Sequence, residues 1–321
     1  MENIIIISTL VFLFTFLGTG YFKEYLKQKK IFDIPSKRSS HSKSIPKGGG
    51  WIIIISIIGA IAFLDPYDKN PAIITILGLA LLSWIDDLKN INIPIRLLFQ
   101  ITLISIYFFS LYKNGFYEES DFNHIFLIIL LFTWFINIFN FMDGIDGISC
   151  SISITIFLGI AIAYFLKDSN YNPNFEIIAI ASCSAFLFWN WSPAKIFLGD
   201  VGSIVLGFLC ILSLYWLYLD KETWHWVISL PMYYIVDTSL TLIKRLVSGK
   251  KIWQAHKEHF YQKAVRSGMS HALVVKSIIG LQTIIILTCI LIKNPYVVVL
   301  LAFIETLILI FYFSSKYKKS T

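Results

Sequence analysis

Long apolar runs separated by short polar connections repeat from one end of the chain to the other. Each is close to the roughly 20 residues a helix needs to cross a bilayer. Eleven such runs can be read, at about 3–22, 48–64, 70–85, 95–112, 124–141, 148–166, 175–190, 203–219, 224–243, 272–292 and 296–313. They predict an all-α, polytopic helical bundle in a membrane, one transmembrane domain over residues 1–321. Several runs sit at the short limit, where hydropathy alone does not separate a span from a re-entrant helix. The first run, Asn3 to Gly20, has no basic flank before it and no small-residue cleavage site. It therefore reads as a first span rather than a signal peptide.

The polar residues that interrupt this pattern are not scattered. Trp134-Phe-Ile-Asn137-Ile-Phe-Asn140-Phe-Met-Asp143-Gly144-Ile-Asp146-Gly147 closes the fifth run with two amides and two carboxylates at three-residue spacing. Asn137, Asn140 and Asp143 then share one helix face. The two Asp-Gly steps are turn signals that end the helix and leave the carboxylates at the water edge. A single Asp-Gly would be an ordinary turn. A cluster of amides and acids against an apolar helix is a functional-site hypothesis, because such groups are costly at a bilayer boundary. Their oxygens suit a hard divalent cation such as Mg²⁺.

Charge fixes the predicted orientation. Only 15% of residues are charged, with a net +7, well below the roughly 25% charged residues of soluble domains. Lys23, Lys27, Lys29, Lys30, Lys37, Arg38, Lys43 and Lys47 follow the first run, and Lys244, Arg245, Lys250, Lys251, Lys257, Lys263 and Arg266 follow the ninth. Lys89, Arg96, Lys195 and the tail lysines fall on the same side, and few basic residues fall on the other. The positive-inside rule puts this side in the cytoplasm, with the N-terminus outside and the C-terminus inside. The four cysteines lie in or beside apolar runs without CxxC spacing and read as buried thiols.

Every polar motif falls on that basic side. Asp86-Asp87 closes the third run, where the helix dipole disfavours two acids and a compensating cation is expected. Phe197-Leu-Gly199-Asp200-Val-Gly202-Ser203 precedes the eighth run, with glycines that admit a phosphate or metal close to the backbone. Asp33 to Gly50 carries Lys43 and Lys47 ahead of three glycines, which suits a phosphate-rich ligand. Gly249 to Lys263 contains His256 and His259, with Arg245 just before it, and these read as donors to phosphate or sugar hydroxyls. The predicted site is built from loops 23–50, 86–95, 142–147, 191–202 and 245–271. Asp237 could pair with a helix end or reach the site, and Glu305 has no evident partner.

Taken together, these motifs resemble the polyprenyl-phosphate N-acetylhexosamine-1-phosphate transferase family, glycosyltransferase family 4. The matching features are the basic loop into Pro46-Lys-Gly-Gly, Asp86-Asp87, Asn137-x-x-Asn140-x-x-Asp143-Gly-x-Asp146-Gly, Phe197-Leu-Gly-Asp200-Val-Gly-Ser and the His256–His259 loop. They occur in the family's order from about residue 33 to 262. The resemblance implies transfer of a sugar-1-phosphate from a UDP-N-acetylhexosamine to undecaprenyl phosphate, with release of UMP. It implies Mg²⁺, with Mn²⁺ as an alternative, held by Asp200 and Asn140. It casts Asp86 and Asp87 as catalytic carboxylates, with Asp86 the favoured base or acceptor-phosphate partner. Asn137, Asp143, Asp146, Phe197, His256 and His259 would serve nucleotide and sugar, and Lys43, Lys47 and Arg245 phosphate. It implies a lipid bilayer but no nucleic acid as partner, and is compatible with a homodimer. The site would face the cytoplasm from a bacterial inner membrane.

His259-Phe-Tyr261-Gln262 replaces the run of adjacent histidines found in many members. It looks like the subgroup that primes O-antigen or capsule with N-acetylfucosamine or N-acetylquinovosamine, with N-acetylglucosamine also open. It speaks against the muramoyl-pentapeptide branch. A transporter or flippase of lipid-linked sugars is the rival reading, and it predicts a polar site at the bilayer midplane instead. A CDP-alcohol phosphotransferase would pack its acids into one short helix pair, a spacing absent here.

Overall fold

The computed structural model describes residues 2–35, 43–61, 69–117, 122–167, 172–251 and 256–320. The helices in chain order are α1 (Glu2–Gln28), α2 (Gly50–Ile61), α3 (Lys69–Lys89), α4 (Ile93–Lys113), α5 (Phe122–Phe141), α6 (Ile148–Leu166) and α7 (Asn174–Asn190). They continue with α8 (Asp200–Leu219), α9 (Trp224–Ser229), α10 (Met232–Val247), α11 (Phe260–Arg266), α12 (His271–Leu291) and α13 (Pro295–Ser320). Eight of the described helices are long and apolar enough to cross a membrane. They coincide with eight of the eleven runs, and two more runs fall on the shorter apolar helices α2 and α7.

The ninth run is where sequence and structure part. Residues 224–243 do not form one span but α9 and α10, broken at Leu230-Pro231. Proline has no N–H to donate and its ring crowds the carbonyl one turn back, so a helix yields there. At the break the Leu230 carbonyl accepts Gln282 Nε2 of α12 at 3.1 Å.

At the centre stands α8, buried along nearly its whole length and packed against α2, α3, α5 and α6. Small residues along it, Gly202, Ser203, Gly207 and Ser213, let the neighbouring helices approach closely, which favours an interior place in a membrane bundle. The outer helices α1, α4 and α13 keep exposed rows such as Leu10, Leu13 and Leu17, or Ile95, Leu98 and Phe99. Hydroxyls join the helices where apolar packing lacks direction. Ser182 of α7 meets Ser56 of α2 at 2.8 Å and Thr15 of α1 at 3.2 Å. The four cysteines are buried and unpaired in disulfides.

The polar motifs meet at one end of the bundle. There β1 (Phe32–Asp33) pairs antiparallel with β2 (Ile45–Pro46), Phe32 opposite Pro46 and Asp33 opposite Ile45. The chain then runs beside Phe197 in a parallel bridge at Lys47. Residues 36–42 and 252–255, with Lys37, Arg38, His41 and Trp253, lie outside the described residues.

Candidate active site

Two glycine contacts bring the site together. A Cβ on Gly50 would stand 2.3 Å from the Gly202 Cα, so the start of α2 lies directly on the first turn of α8. Gly199 holds φ +77° immediately before α8, and a Cβ there would press on Asp87 and on the Gly48 amide. The Gly48 and Gly49 N–H groups donate to the Phe197 carbonyl at 3.2 and 2.9 Å. Lys47, the C-terminal end of α3 and the N-terminal end of α8 are thereby held in contact.

Asp87 is the hub. Its carboxylate accepts from the Asp200 and Val201 N–H groups, both at 3.3 Å, and so occupies the positive end of α8. Lys47 Nζ lies 2.6 Å from Asp87 and 3.9 Å from Asp200. Burial works against the charged amine, yet Asp200 and Asp87 outweigh it and hold Lys47 above its ordinary value. The expected compensating cation at the end of α3 is therefore double: Lys47 for Asp87 and Arg96 for Asp86.

Asp86 is buried and fully engaged. Its Oδ1 accepts the Ile91 N–H at 2.7 Å and its Oδ2 accepts Arg96 Nη1 at 2.9 Å. Lys47, Asp86, Asp87, Asn90, Ile91, Arg96 and Asp200 line one pocket of ≈ 210 Å³.

Asn140 and Asp143 reach the same region from α5. Asn140 Oδ1 accepts the Ser203 hydroxyl of α8 at 2.6 Å. Asp143 is half-buried and accepts Ser149 Oγ at 2.7 Å. Loss of water pushes the Asp143 carboxyl up to about 7, with Asp200 adding to the shift and Ser149 and Lys47 opposing it. Carboxylates outnumber cations here, a balance that favours an additional cation.

Asp146 serves a different purpose. It accepts the Ala194 N–H at 3.2 Å and pairs with His271 at 3.2 Å, joining the 142–147 turn to the loop before α8 and to α12. Burial raises its carboxyl, but the hydrogen bond and charge of His271 and the Ala194 amide prevail and leave it below the ordinary carboxylate range. A carboxylate depressed in the fold contributes stability above its unfolded pKa, and that contribution fades as pH falls through the folded value. His271→Ala is expected to move this acid loss to higher pH, because the partner that holds the carboxyl down is gone. Melting temperature in detergent followed from pH 7 to pH 4 checks it; an unchanged acid limb would show that the pair contributes nothing.

The His256–His259 loop is anchored from below. Asp237, fully buried on α10, lies 3.0 Å from His259 Nδ1 and accepts the Phe260 and Tyr261 N–H groups at the start of α11. Asp237 thus pairs with a helix end. His256 stacks on His259 with ring centres 5.0 Å apart. Burial, His259 and Arg245 push His256 down to about 4, so near neutral pH it is an uncharged imidazole. Tyr261 is buried and donates to the Phe141 carbonyl at 3.2 Å, docking α11 on the end of α5.

A Cβ on Gly144 would meet the Tyr261 oxygen at 2.2 Å. Gly144→Ala is expected to lower stability by about 1–3 kcal/mol through overpacking. Tyr261→Phe in that background should recover part of it by removing the oxygen. Thermal melts of the single and double variants decide this, and a double variant no better than Gly144→Ala would refute the contact.

Not every candidate joins the cluster. Asn137 is buried one turn deeper and donates to Gln100 of α4 at 2.8 Å and to the Thr133 carbonyl. Arg245 is buried and engaged by Glu258 at 2.7 Å and the Lys251 carbonyl at 2.8 Å. Lys43 is exposed, and Phe197 contributes its backbone to the docking of Gly48 and Gly49. Arg96 entered the sequence reading only as topology, and His271 was missed. Glu305 accepts the Thr288 hydroxyl of α12 at 2.8 Å.

Known proteins resemble this chain over most of its length. The model of glycosyl transferase family 4 matches residues 70–218. A probable undecaprenyl-phosphate N-acetylglucosaminyl 1-phosphate transferase from Bacillus subtilis (strain 168) is 27% identical, covering 82% of this chain and 77% of its own length. A phospho-N-acetylmuramoyl-pentapeptide-transferase from Lactococcus lactis subsp. cremoris (strain MG1363) is 28% identical over 81% of this chain and 87% of its own. An undecaprenyl-phosphate alpha-N-acetylglucosaminyl 1-phosphate transferase from Thermotoga maritima is 27% identical over 76% of each chain. The family model spans α3, α5 and α8, which carry Asp86, Asp87, Asn140 and Asp200, and with these relatives it supports the polyprenyl-phosphate N-acetylhexosamine-1-phosphate transferases as the family this chain resembles.

Proposed function

We propose that this membrane protein transfers a sugar-1-phosphate from a UDP-N-acetylhexosamine to undecaprenyl phosphate, with release of UMP. The observation that carries the reading is the Lys47–Asp87–Asp200 cluster at the junction of α2, α3 and α8. An acceptor phosphate oxygen bonds to the β-phosphorus of the donor, and the bond from that phosphorus to the UMP oxygen breaks. Such transfers depend on positioning and on neutralising phosphoryl charge. Lys47 supplies a fixed positive charge. The N–H groups at the start of α8 are already committed to Asp87, so that carboxylate keeps Lys47 in place rather than leaving a second anion site. Phosphate monoesters are largely dianionic near neutral pH, with a second pKa of about 6. Proton removal therefore asks little of Asp86, whose oxygens are engaged by Ile91 and Arg96.

The oxygen donors fit Mg²⁺, which takes one or two carboxylates and leaves its other positions to water and substrate phosphates. Among the described residues no group of three His, Cys, Asp or Glu is placed to hold a metal by itself, so substrate and water would have to supply the remaining ligands. Asp200 and Asn140 are the residues proposed to hold it. When bound, the ion would neutralise charge on the donor diphosphate. The basic loops support a cytoplasmic site in a bacterial inner membrane. The donor is proposed to be N-acetylglucosamine or a 6-deoxy N-acetylhexosamine, feeding O-antigen, capsule or another envelope polysaccharide.

The test uses purified chain in detergent with undecaprenyl phosphate and Mg²⁺. UDP-N-acetylglucosamine, UDP-N-acetylfucosamine and UDP-N-acetylquinovosamine are supplied separately and UMP is followed. UMP that needs both lipid and metal is expected. Folded protein that releases none from any of the three would defeat the proposed donors.

A further inference from the structure

Where α1 meets α7, one indole carries two cations. Trp189 is held in place: its Nε1 donates to the Phe16 carbonyl at 3.0 Å, and a Cβ on Gly20 would stand 3.0 Å from its ring. Lys23 Nζ lies 4.6 Å from the centre of that indole, and Lys195 Nζ lies 5.5 Å from it. Each contact is a cation–π attraction, yet together they draw two like charges to one ring. Glu24 stands 3.1 Å from Lys23 and 3.0 Å from Lys27, so one acid is divided between two lysines. Among the described residues Lys195 has no acidic partner. This corner of the bundle is short of an anion. Below the lysines the same seam is aromatic and apolar. Phe16 meets Phe188 edge-on at 5.6 Å and stacks on Phe12 at 6.3 Å. Phe188 is 70% exposed, and Leu13 and Leu17 of α1 are exposed as well.

We propose that the α1–α7 seam binds an anionic phospholipid, its phosphate between Lys23 and Lys195 and an acyl chain along Phe16 and Phe188. Basic residues at the end of a span attract acidic headgroups, and the exposed rings beneath them suit a hydrocarbon chain. A soluble phosphate would satisfy the amines and leave the aromatic strip unused. The seam lies outside the pocket lined by Lys47, Asp86, Asp87 and Asp200, and the proposal does not depend on the transfer reading. Lys195 belongs to the loop that donates the Ala194 N–H to Asp146 and leads into Asp200. A headgroup held by both lysines would tie that loop to α1.

The experiment follows the melting temperature of full-length chain in detergent during titration with phosphatidylglycerol, phosphatidylcholine or inorganic phosphate. Phosphatidylglycerol is expected to stabilise the wild type, and the other two to do so far less. The double variant Lys23→Gln with Lys195→Gln should need about 10- to 30-fold more phosphatidylglycerol for the same shift, the loss of two lysines facing an acidic headgroup. A control, Lys244→Gln with Lys316→Gln, removes two exposed charges from the same end of the bundle without touching the seam. It should titrate like wild type.

Four outcomes would overturn the proposal. Phosphatidylglycerol could leave the wild type unmoved, or do no more than phosphatidylcholine. Inorganic phosphate could match it, which would make the site one for a free anion. The control could lose as much as the seam variant, which would reduce the effect to general surface charge. Undecaprenyl phosphate, titrated in parallel, could alone lose affinity in the seam variant, which would give the seam to that lipid instead. If the double variant does not fold, Lys195→Gln decides, since that side chain is exposed: a wild-type titration with phosphatidylglycerol defeats the assignment, and a weakened one supports it.

Discussion

Replacing Asp200 with Asn is expected to lower UMP release in the proposed transfer by about 10³-fold while leaving the melting temperature in detergent within a few degrees of wild type. The magnitude follows from removing one fixed element of charge stabilisation in phosphoryl transfer, about 10²- to 10³-fold alone, together with weaker metal retention. Fold should survive because the Asp200 side chain is 31% exposed and touches Lys47 only at 3.9 Å. Its backbone N–H, which Asp87 accepts, is kept in the variant. The assay is UMP release over a Mg²⁺ titration. Turnover near wild type at any metal concentration would remove Asp200 from the site.

Replacing Lys47 with Met is expected to damage activity and stability together. Asp87 has a side chain only 3% exposed, and Lys47 is the cation at 2.6 Å. Losing one partner of a buried pair costs about 3–5 kcal/mol. Here about 2 kcal/mol is expected, since Lys47 is partly exposed and α8 still donates two amides. Turnover should fall by about 10²-fold or more, because the fixed positive charge at the phosphoryl site is gone. The decisive comparison is the double variant Lys47→Met with Asp87→Asn. Removing the stranded charge should restore much of the melting temperature without restoring turnover. A double variant no more stable than Lys47→Met would mean that the ion pair does not organise this junction.

The sequence made these residues visible because acids and amides stand out against apolar helices. Asp86, Asp87, Asn140, Asp143 and Asp200 each interrupt or terminate a hydrophobic run, and their partners in the site are other interruptions. Their supporting residues left no such trace. His271 meets Asp146 across 125 positions, and Arg96 looked like one more basic residue near a helix end. Asn137 was as visible as Asn140, yet three residues further back on α5 it packs against Gln100 inside the bundle. A polar residue within an apolar run is a signal, but periodicity does not say whether its partner is a ligand or another helix. The ninth run misled for a related reason. Hydropathy averages over Pro231, whereas backbone hydrogen bonding does not, and the break is legible only when the missing donor is weighed.

The parallel bridge between Lys47 and Phe197 bears on how this protein can be divided. The family-matched segment 70–218 contains most of the acids and the Arg96 partner of Asp86, but not Lys47, the cation of Asp87, and not the Gly50 backbone on which α8 rests. Nor does it contain His271 and Tyr261, which secure the 142–147 turn from the other end of the chain. The matched stretch therefore holds half of the candidate site rather than a self-contained module. Fragments cut at its borders would retain the signature residues yet have no assembled centre, and grafting those residues onto another bundle would fail for the same reason. A substitution in either flank can therefore disassemble the centre without touching the recognisable core, because the segments that complete it lie outside that core.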